Sequence, residues 1–397
     1  MKVSCRLFGL CAAAIGLVAL GEGVGAVAAP SNTLTREELD QGWILLFDGE
    51  TLFGWTAGGK ADWHVSDGAI RVAKGEPDLL ATTSQFADFA LKAEFRSPKG
   101  TNSGIFLRTA SAAMPTDVAT ACYELNIADP DHPYPTGSFV KRKRRQADPD
   151  GAGWQALEVT AEGGRFQVKL NGQPVLDYTD PNPVGRGFLG LQYNQGPVEF
   201  RNLKLKPLGL ASIFNGKDLS GWRTFPGQKT VCSVTPEGWL RVKDGRGQLE
   251  TLGQYADFTL QLEVFVNGKG INSGIFFRSI PGEMMNGYES QIHNGFLDGD
   301  RGKPVDCGTG GIFRRQNARK VVADDQQWFH KTIHVEGDHM AVWVNGYQVS
   351  DWTDTRPPND NPRKGLRRQA GTIIIQGHDP TTDFLFRNLK AGELPRR

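Results

Sequence analysis

The feature that most constrains this chain is that most of it is written twice. Leu46-Phe47-Asp48-Gly49-Glu50-Thr51-Leu52-Phe53-Gly54-Trp55 returns as Ile213-Phe214-Asn215-Gly216-Lys217-Asp218-Leu219-Ser220-Gly221-Trp222. Asn102-Ser103-Gly104-Ile105-Phe106-Leu107-Arg108 returns as Asn272-Ser273-Gly274-Ile275-Phe276-Phe277-Arg278, and Tyr123-Glu124 as Tyr288-Glu289. Asn171-Gly172 and Phe200-Arg201-Asn202-Leu203 find their partners in Asn345-Gly346 and Phe386-Arg387-Asn388-Leu389. The offsets are 167, 170, 165, 174 and 186 residues, so the second copy gains loop length towards its end. Whatever fold this is, about 180 residues complete it, enough for a core of their own, which makes this domain duplication and not a solenoid. The boundaries fall at 44–207 and 211–393, after a leading segment at 30–43.

Within each copy the hydrophobic period is two. Phe89, Leu91, Ala93 and Phe95 alternate with Ala90, Lys92, Glu94 and Arg96, and Phe258, Leu260, Leu262 and Val264 alternate with Thr259, Gln261 and Glu263. That is the pattern of half-buried strands. Asn171-Gly172 and Asn345-Gly346 supply the positive φ angles of tight hairpins. The 49 glycines and 22 prolines are dispersed without a short period, as turns between many short strands require. One short helix is expected, at 36–41, opened by a capping box of Thr35 and Glu38. The prediction is all-β: two tandem jelly-roll β-sandwiches preceded by a short N-terminal helix.

Residues 1–29 read as a signal peptide. Lys2 and Arg6 precede an apolar run at 7–20, too short to span a bilayer, and small residues lead up to Pro30. Leu10 before Cys11 fits a lipoprotein site poorly, so a soluble periplasmic or extracellular protein is expected, with no integral membrane segment after processing. Removing this segment takes Lys2, Arg6 and Glu22 and leaves a neutral chain, which argues against nucleic acid as a partner. Cys122, Cys232 and Cys307 remain, and are read as buried apolar residues at no zinc-site spacing.

No nucleophile elbow, phosphate loop or His-Glu-x-x-His helix is present. Chemistry is sought instead among polar residues that both copies place on strands. Alternation puts Phe106 with Arg108, and Phe276 with Arg278, on the face opposite Ile105 and Ile275. Glu124 and Asn126 share a face, and Glu289 pairs likewise with Gln291. The middle acid of a retaining carboxylate series is thus an amide in both copies, which argues against an ordinary retaining glycosidase. Copy two has Asn294 where copy one has Asp129. The run Lys141-Arg142-Lys143-Arg144-Arg145 reads as a solvated loop with one or two inward residues. His293 and His378 occur only in copy two.

Taken together, Phe-(Asp/Asn)-Gly-x-x-Leu-x-Gly-Trp, Asn-Ser-Gly-Ile-Phe-x-Arg, Tyr-Glu-x-(Asn/Gln)-Ile and Phe-Arg-Asn-Leu resemble the 3-keto-disaccharide hydrolase domain family. The resemblance implies a concanavalin-like jelly roll in each copy and action on glycosides oxidised at carbon 3. A C3 ketone acidifies the C2 hydrogen, so one base can start elimination of the C1 oxygen, with water added afterwards. It implies a catalytic set of Glu289 or His378 as base with Arg278 and Gln291 on the enolate or hydroxyls. Asn272, Tyr288, His293, Arg314, Arg315 and Gln376 complete that sugar site. Asn102, Arg108, Tyr123, Glu124, Asn126, Asp129, Arg142 and Gln192 form the copy-one counterpart. No cofactor is specified, although these oxygen and imidazole donors suit a divalent metal. The rival expectation is a lectin-like tandem carbohydrate-binding module with Trp55, Trp63, Trp222 or Trp343 as sugar platforms.

Overall fold

In the computed structural model, which describes residues 1, 30–147, 151 and 153–397, the repeat becomes two β-sandwiches of the same topology. The eight-stranded sheet of copy one runs Gln173–Thr179, Arg165–Leu170, Gln155–Glu162, Phe89–Arg96, Val198–Pro207, Ala69–Val72, His64–Ser66, with Ile44–Leu45 added alongside Val198–Pro207. Its five-stranded sheet runs Trp55–Ala57, Asp78–Phe86, Gly187–Gln195, Asn102–Thr109, Tyr123–Ile127. Copy two repeats both orders with strands between Ala211 and Glu393, every pairing antiparallel.

The period-two pattern decides which side each residue takes. Along Phe89–Arg96 buried and half-exposed positions alternate, and Phe89, Leu91, Ala93 and Phe95 join one core with Ile105, Leu125 and Phe166. Copy two assembles its own core from Phe258, Leu260, Ile275, Ile375 and Phe386. The capping box of Thr35 and Glu38 opens a helix at Arg36–Asp40, and Lys92 and Lys204 both reach Glu38 at 2.8 Å. A second short helix, Val118–Ala121, was not signalled by any periodicity.

The arginines of the Asn-Ser-Gly-Ile-Phe-x-Arg motif do not follow the alternation. Each strand bulges just after the phenylalanine, and Arg108 and Arg278 take φ of 58° and 47°. Both side chains turn away from the phenylalanine face and are fully buried. Arg108 donates to the carbonyls of Ala87, Gly163 and Val184 and to Asp88; Arg278 repeats this with Ala256, Gly337, Arg367 and Asp257. They tie the strand-end loops of each sandwich together.

The tryptophans are structural too. Trp55 and Trp222 are buried and donate to the carbonyls of Leu46 and Ile213, nine residues back in each copy. Trp63 donates to Asp78, and Trp343 of copy two is buried in the copy-one core, donating to Leu45 O. Cys122 and Cys307 are buried and Cys232 half-buried, all three as free thiols. Among the described residues no helix is long and apolar enough to cross a membrane, and the apolar run at 7–20 lies outside them.

Candidate active site

The outer faces of the two five-stranded sheets occupy matching registers but carry different side chains. In copy one, Leu79 and Gln192, Ala81 and Gly190, Phe106 and Glu124, and Gly104 and Asn126 stand directly opposite one another. In copy two the same positions hold Gln248 and Gln376, Glu250 and Ile374, Phe276 and Glu289, and Gly274 and Gln291. Met114 and Val118 pack over Leu79, Phe106 and Cys122 in copy one, so that face is roofed by apolar side chains. Copy two keeps a polar face.

At its centre is Glu289, only 6% exposed. Burial pushes its carboxyl up to about 7, against the opposing pull of the Arg363 guanidinium and the charge of His378. Arg363 Nη2 lies 3.4 Å from Glu289 Oε2, and the guanidinium sits 5.1 Å from the centre of the Phe276 ring. The glycine of Asn-Ser-Gly now has its reason: a Cβ on Gly274 would stand 2.6 Å from Glu289 Oε1. Glu124 is raised to about 7 by the same burial, with Gln192 and Lys141 as its opposing partners.

Around Glu289 the amides are left with open acceptors. Asn272 Oδ1, Gln291 Oε1 and Gln376 Oε1 are buried without a hydrogen-bond partner. A buried acceptor without a donor is costly, and hydroxyl groups of a ligand would satisfy it. The amide nitrogens are committed: those of Asn272 and Gln291 donate to Asp306, and that of Gln376 contacts Met285 Sδ at 3.3 Å. At the rim His378 accepts no buried role; its Nδ1 lies 2.8 Å from Asp379 and the side chain is 41% exposed. Its other ring nitrogen is thereby left for a ligand.

Comparison with known proteins gives both copies a family. The model of the 3-keto-alpha-glucoside-1,2-lyase-like domain matches residues 42–206 and again 209–391. The chain belongs to that family, in two copies. It is 25% identical over 249 residues to a protein of Bacteroides thetaiotaomicron described as a 3-keto-disaccharide hydrolase, covering 45% of this chain and 85% of the relative. A solved Parabacteroides distasonis structure with a provisional glycosyl hydrolase description is 22% identical at a TM-score of 0.41, over 45% of this chain and 100% of that one. The carbohydrate binding module CBM66 of Bacillus subtilis is 19% identical at 0.31, over 38% and 94%.

Of the residues that the sequence singles out in copy two, the structure gathers Glu289, Gln291, Gln376, Asn272 and His378 around one face. It sets others apart. Arg278 is consumed by loop carbonyls and Asp257. Tyr288 turns into the core and its hydroxyl donates to Asp354; Tyr123 does the same with Asp180. Arg142, the inward member of its basic loop, pairs with Asp180 at 2.7 Å beneath the Tyr123 ring. Arg314 is exposed, and Arg315 donates to the Arg363 carbonyl, bracing the loop that carries it. His293 Nδ1 accepts from Gly295 N and holds a turn. Asp129 receives Gly100 N, Asn126 is bound to Tyr134 O, and Asn102 opens its strand half-buried.

Arg363 and Asp306 had no signal in any motif. The one available trace of Arg363 was the growing offset between the copies. Tyr123 OH binds Asp180 and the amide of Val184; Tyr288 OH binds Asp354 and the amide of Arg367. The second interval is longer by nine residues, and Arg363 lies inside it. A three-member grouping with metal-ligating atoms, Asp40, Glu263 and His330, lies elsewhere. There Arg387 already donates to Glu263 at 2.6 Å and 3.0 Å, so the carboxylate is satisfied by a guanidinium and does not fit a cation site.

Proposed function

We propose that the second half of the chain is a carbohydrate-active enzyme of glycosyl-hydrolase type that cleaves 3-keto-glycosides by elimination, within an exported protein. Export rests on the 1–29 pattern alone. The observation that carries the chemistry is Glu289: one buried carboxyl near 7, faced by a guanidinium and by unpartnered amide oxygens. A base needs a pKa near the working pH, and burial supplies it here.

Glu289 takes the C2 proton of the bound sugar. The released electron pair moves into the C3 carbonyl, and Arg363 stabilises the enolate oxygen. When the enolate collapses, the C1–O bond breaks, and His378, oriented by Asp379, protonates the departing oxygen. The unsaturated 3-keto sugar then takes water at C1, the water's proton passing to the now neutral His378, while Glu289, its proton exchanged with solvent, protonates C2, so the net result is hydrolysis. Gln291, Gln376 and Asn272 accept sugar hydroxyls, and Asp306 positions two of these amides.

The test uses a 4-nitrophenyl 3-keto-glucoside in heavy water. Nitrophenol should be released and the recovered 3-keto-glucose should carry deuterium at C2. Release without deuterium at C2, or undiminished release by Glu289→Gln, overturns the mechanism. Binding without release would return the protein to the carbohydrate-binding reading, which the burial of Trp55, Trp222 and Trp343 disfavours.

A further inference from the structure

Copy two meets copy one with the outer face of its eight-stranded sheet, on the side of the sandwich opposite to Glu289. Thr332, His334 and Glu336 alternate there with Ile333 and Val335, which belong to the copy-two core. The contact is specific. His334 Nε2 and Glu336 Oε1 grip the carbonyl and amide of Gln85 at 2.8 Å and 2.6 Å, and Thr83 Oγ1 donates to Asp351 at 2.7 Å. Beside these bonds lies a pocket of about 420 Å³ that exists only because the halves meet: Thr83, Arg186 and Phe188 come from copy one, and Glu336, His339 and Asp351 from copy two. That volume is in the range of small-ligand pockets.

The charges on its wall are already spent. Arg186 is paired with Asp257 Oδ2 at 2.8 Å, and Arg278 shares that carboxylate through Oδ1 at 2.9 Å. Asp351 Oδ1 receives Thr83, His339 and Gln348, and Asp338 Oδ2 receives Arg368 at 2.9 Å, which leaves neither carboxylate bare to capture a cation. Glu336 is 3% exposed and its Oε2 has no partner; neither has His339 Nδ1, 3.8 Å from Glu336 Oε1. Burial pushes Glu336 up to about 8, so at neutral pH its carboxyl carries a proton and acts as a donor. Arg186 and Arg278 stand against Asp257 and Asp351, and Arg368 against Asp338, so the wall is balanced in charge, rich in hydroxyls, and floored on one side by a half-buried aromatic ring. A pyranose, with apolar C–H faces and a hydroxyl rim, matches that combination.

We propose that the junction pocket is a second sugar site, taking one neutral pyranose unit, separate from the Glu289 face and built by both halves. It does not depend on the chemistry proposed for Glu289. The probe is methyl α-D-glucopyranoside, which carries no ketone and cannot be eliminated, titrated calorimetrically into full-length Glu289→Gln/Gln291→Ala protein to silence the first face. Saturable binding should persist in that background, and Phe188→Ala and Thr83→Val should each weaken it by about 5-fold or more. The same two substitutions placed in the otherwise unchanged chain should leave nitrophenol release intact. Melting curves establish that each variant is folded; should Thr83→Val melt early, Glu336→Leu replaces it. Absence of saturable binding, equal affinity in the folded variants, or tighter binding of glucuronate than of the neutral glycoside would overturn the proposal.

Discussion

Glu289 and Arg278 come from neighbouring strands and both look catalytic as letters, yet physical chemistry separates them. Glu289 is buried with its charge poorly compensated, a costly arrangement that a structural role does not require. Arg278 is buried with its guanidinium bonded to three carbonyls and one carboxylate, an arrangement that explains itself. Glu289→Gln keeps shape and should lower kcat on a 3-keto-glucoside by about 10²–10⁴-fold with little change in melting temperature. Glu124→Gln, under its apolar roof, should leave turnover nearly unchanged. Arg278→Met should do the reverse of Glu289→Gln: it strips charge-assisted bonds from buried carbonyls, so unfolding in urea should show a loss of about 3 kcal/mol or more. A variant of Arg278 that melts normally but has lost kcat would restore it to the active site.

At the scale of elements, an inserted loop makes copy two different. The nine extra residues between Asp354 and Arg367 deliver Arg363 to Glu289, and its positive charge lowers a carboxyl that burial raises. In Arg363→Ala the opposing pull disappears. The ascending limb of kcat/KM against pH, placed near 7 by Glu289, should move to higher pH, and the plateau should fall as the enolate loses its cation. A limb that stays in place would remove Arg363 from contact with the base. Strand identity, the duplication, the capping box and the Glu-x-amide face were legible because each is written in the order and spacing of residues along the chain. The arginine reversal was not, since a bulge depends on pairing across strands. Nor was Lys331. It faces inward where the equivalent register in copy one holds Leu157, and donates to the carbonyls of Ser290 and Gln291. Burial lowers it to about 7, so between 7 and its unfolded value of 10.5 the unfolded chain binds more protons and stability rises with pH. Lys331→Met should flatten that rise and raise the melting temperature at pH 7.

For the whole molecule, the question is whether two homologous sandwiches behave as one. Trp343 answers it structurally: a copy-two strand residue, 1% exposed, counted in the copy-one core and bonded through Nε1 to Leu45 O at 2.9 Å. Leu45 N in turn donates to Gly346 O, and Arg319 pairs with Asp48 at 2.8 Å. Burial at this junction also sets opposite pH limits. His334 is lowered to about 3, so its contribution falls away as pH drops below the unfolded value of 6.5 towards 3. Glu336 is raised to about 8, so its contribution, full below the unfolded value of 4.5, fades as pH rises to 8. The two slopes cancel between 4.5 and 6.5, so calorimetry in that window should show one cooperative transition for both halves. Trp343→Ala empties a large site in the copy-one core and breaks the bond to Leu45, a loss of about 3–5 kcal/mol. Because that loss falls on the coupling between halves as well as on one core, the single transition should split into two, the copy-one half melting first. A lowered but still single transition would mean that the remaining contacts at Gln85, Thr83 and Asp48 are sufficient to bind the halves into one cooperative unit.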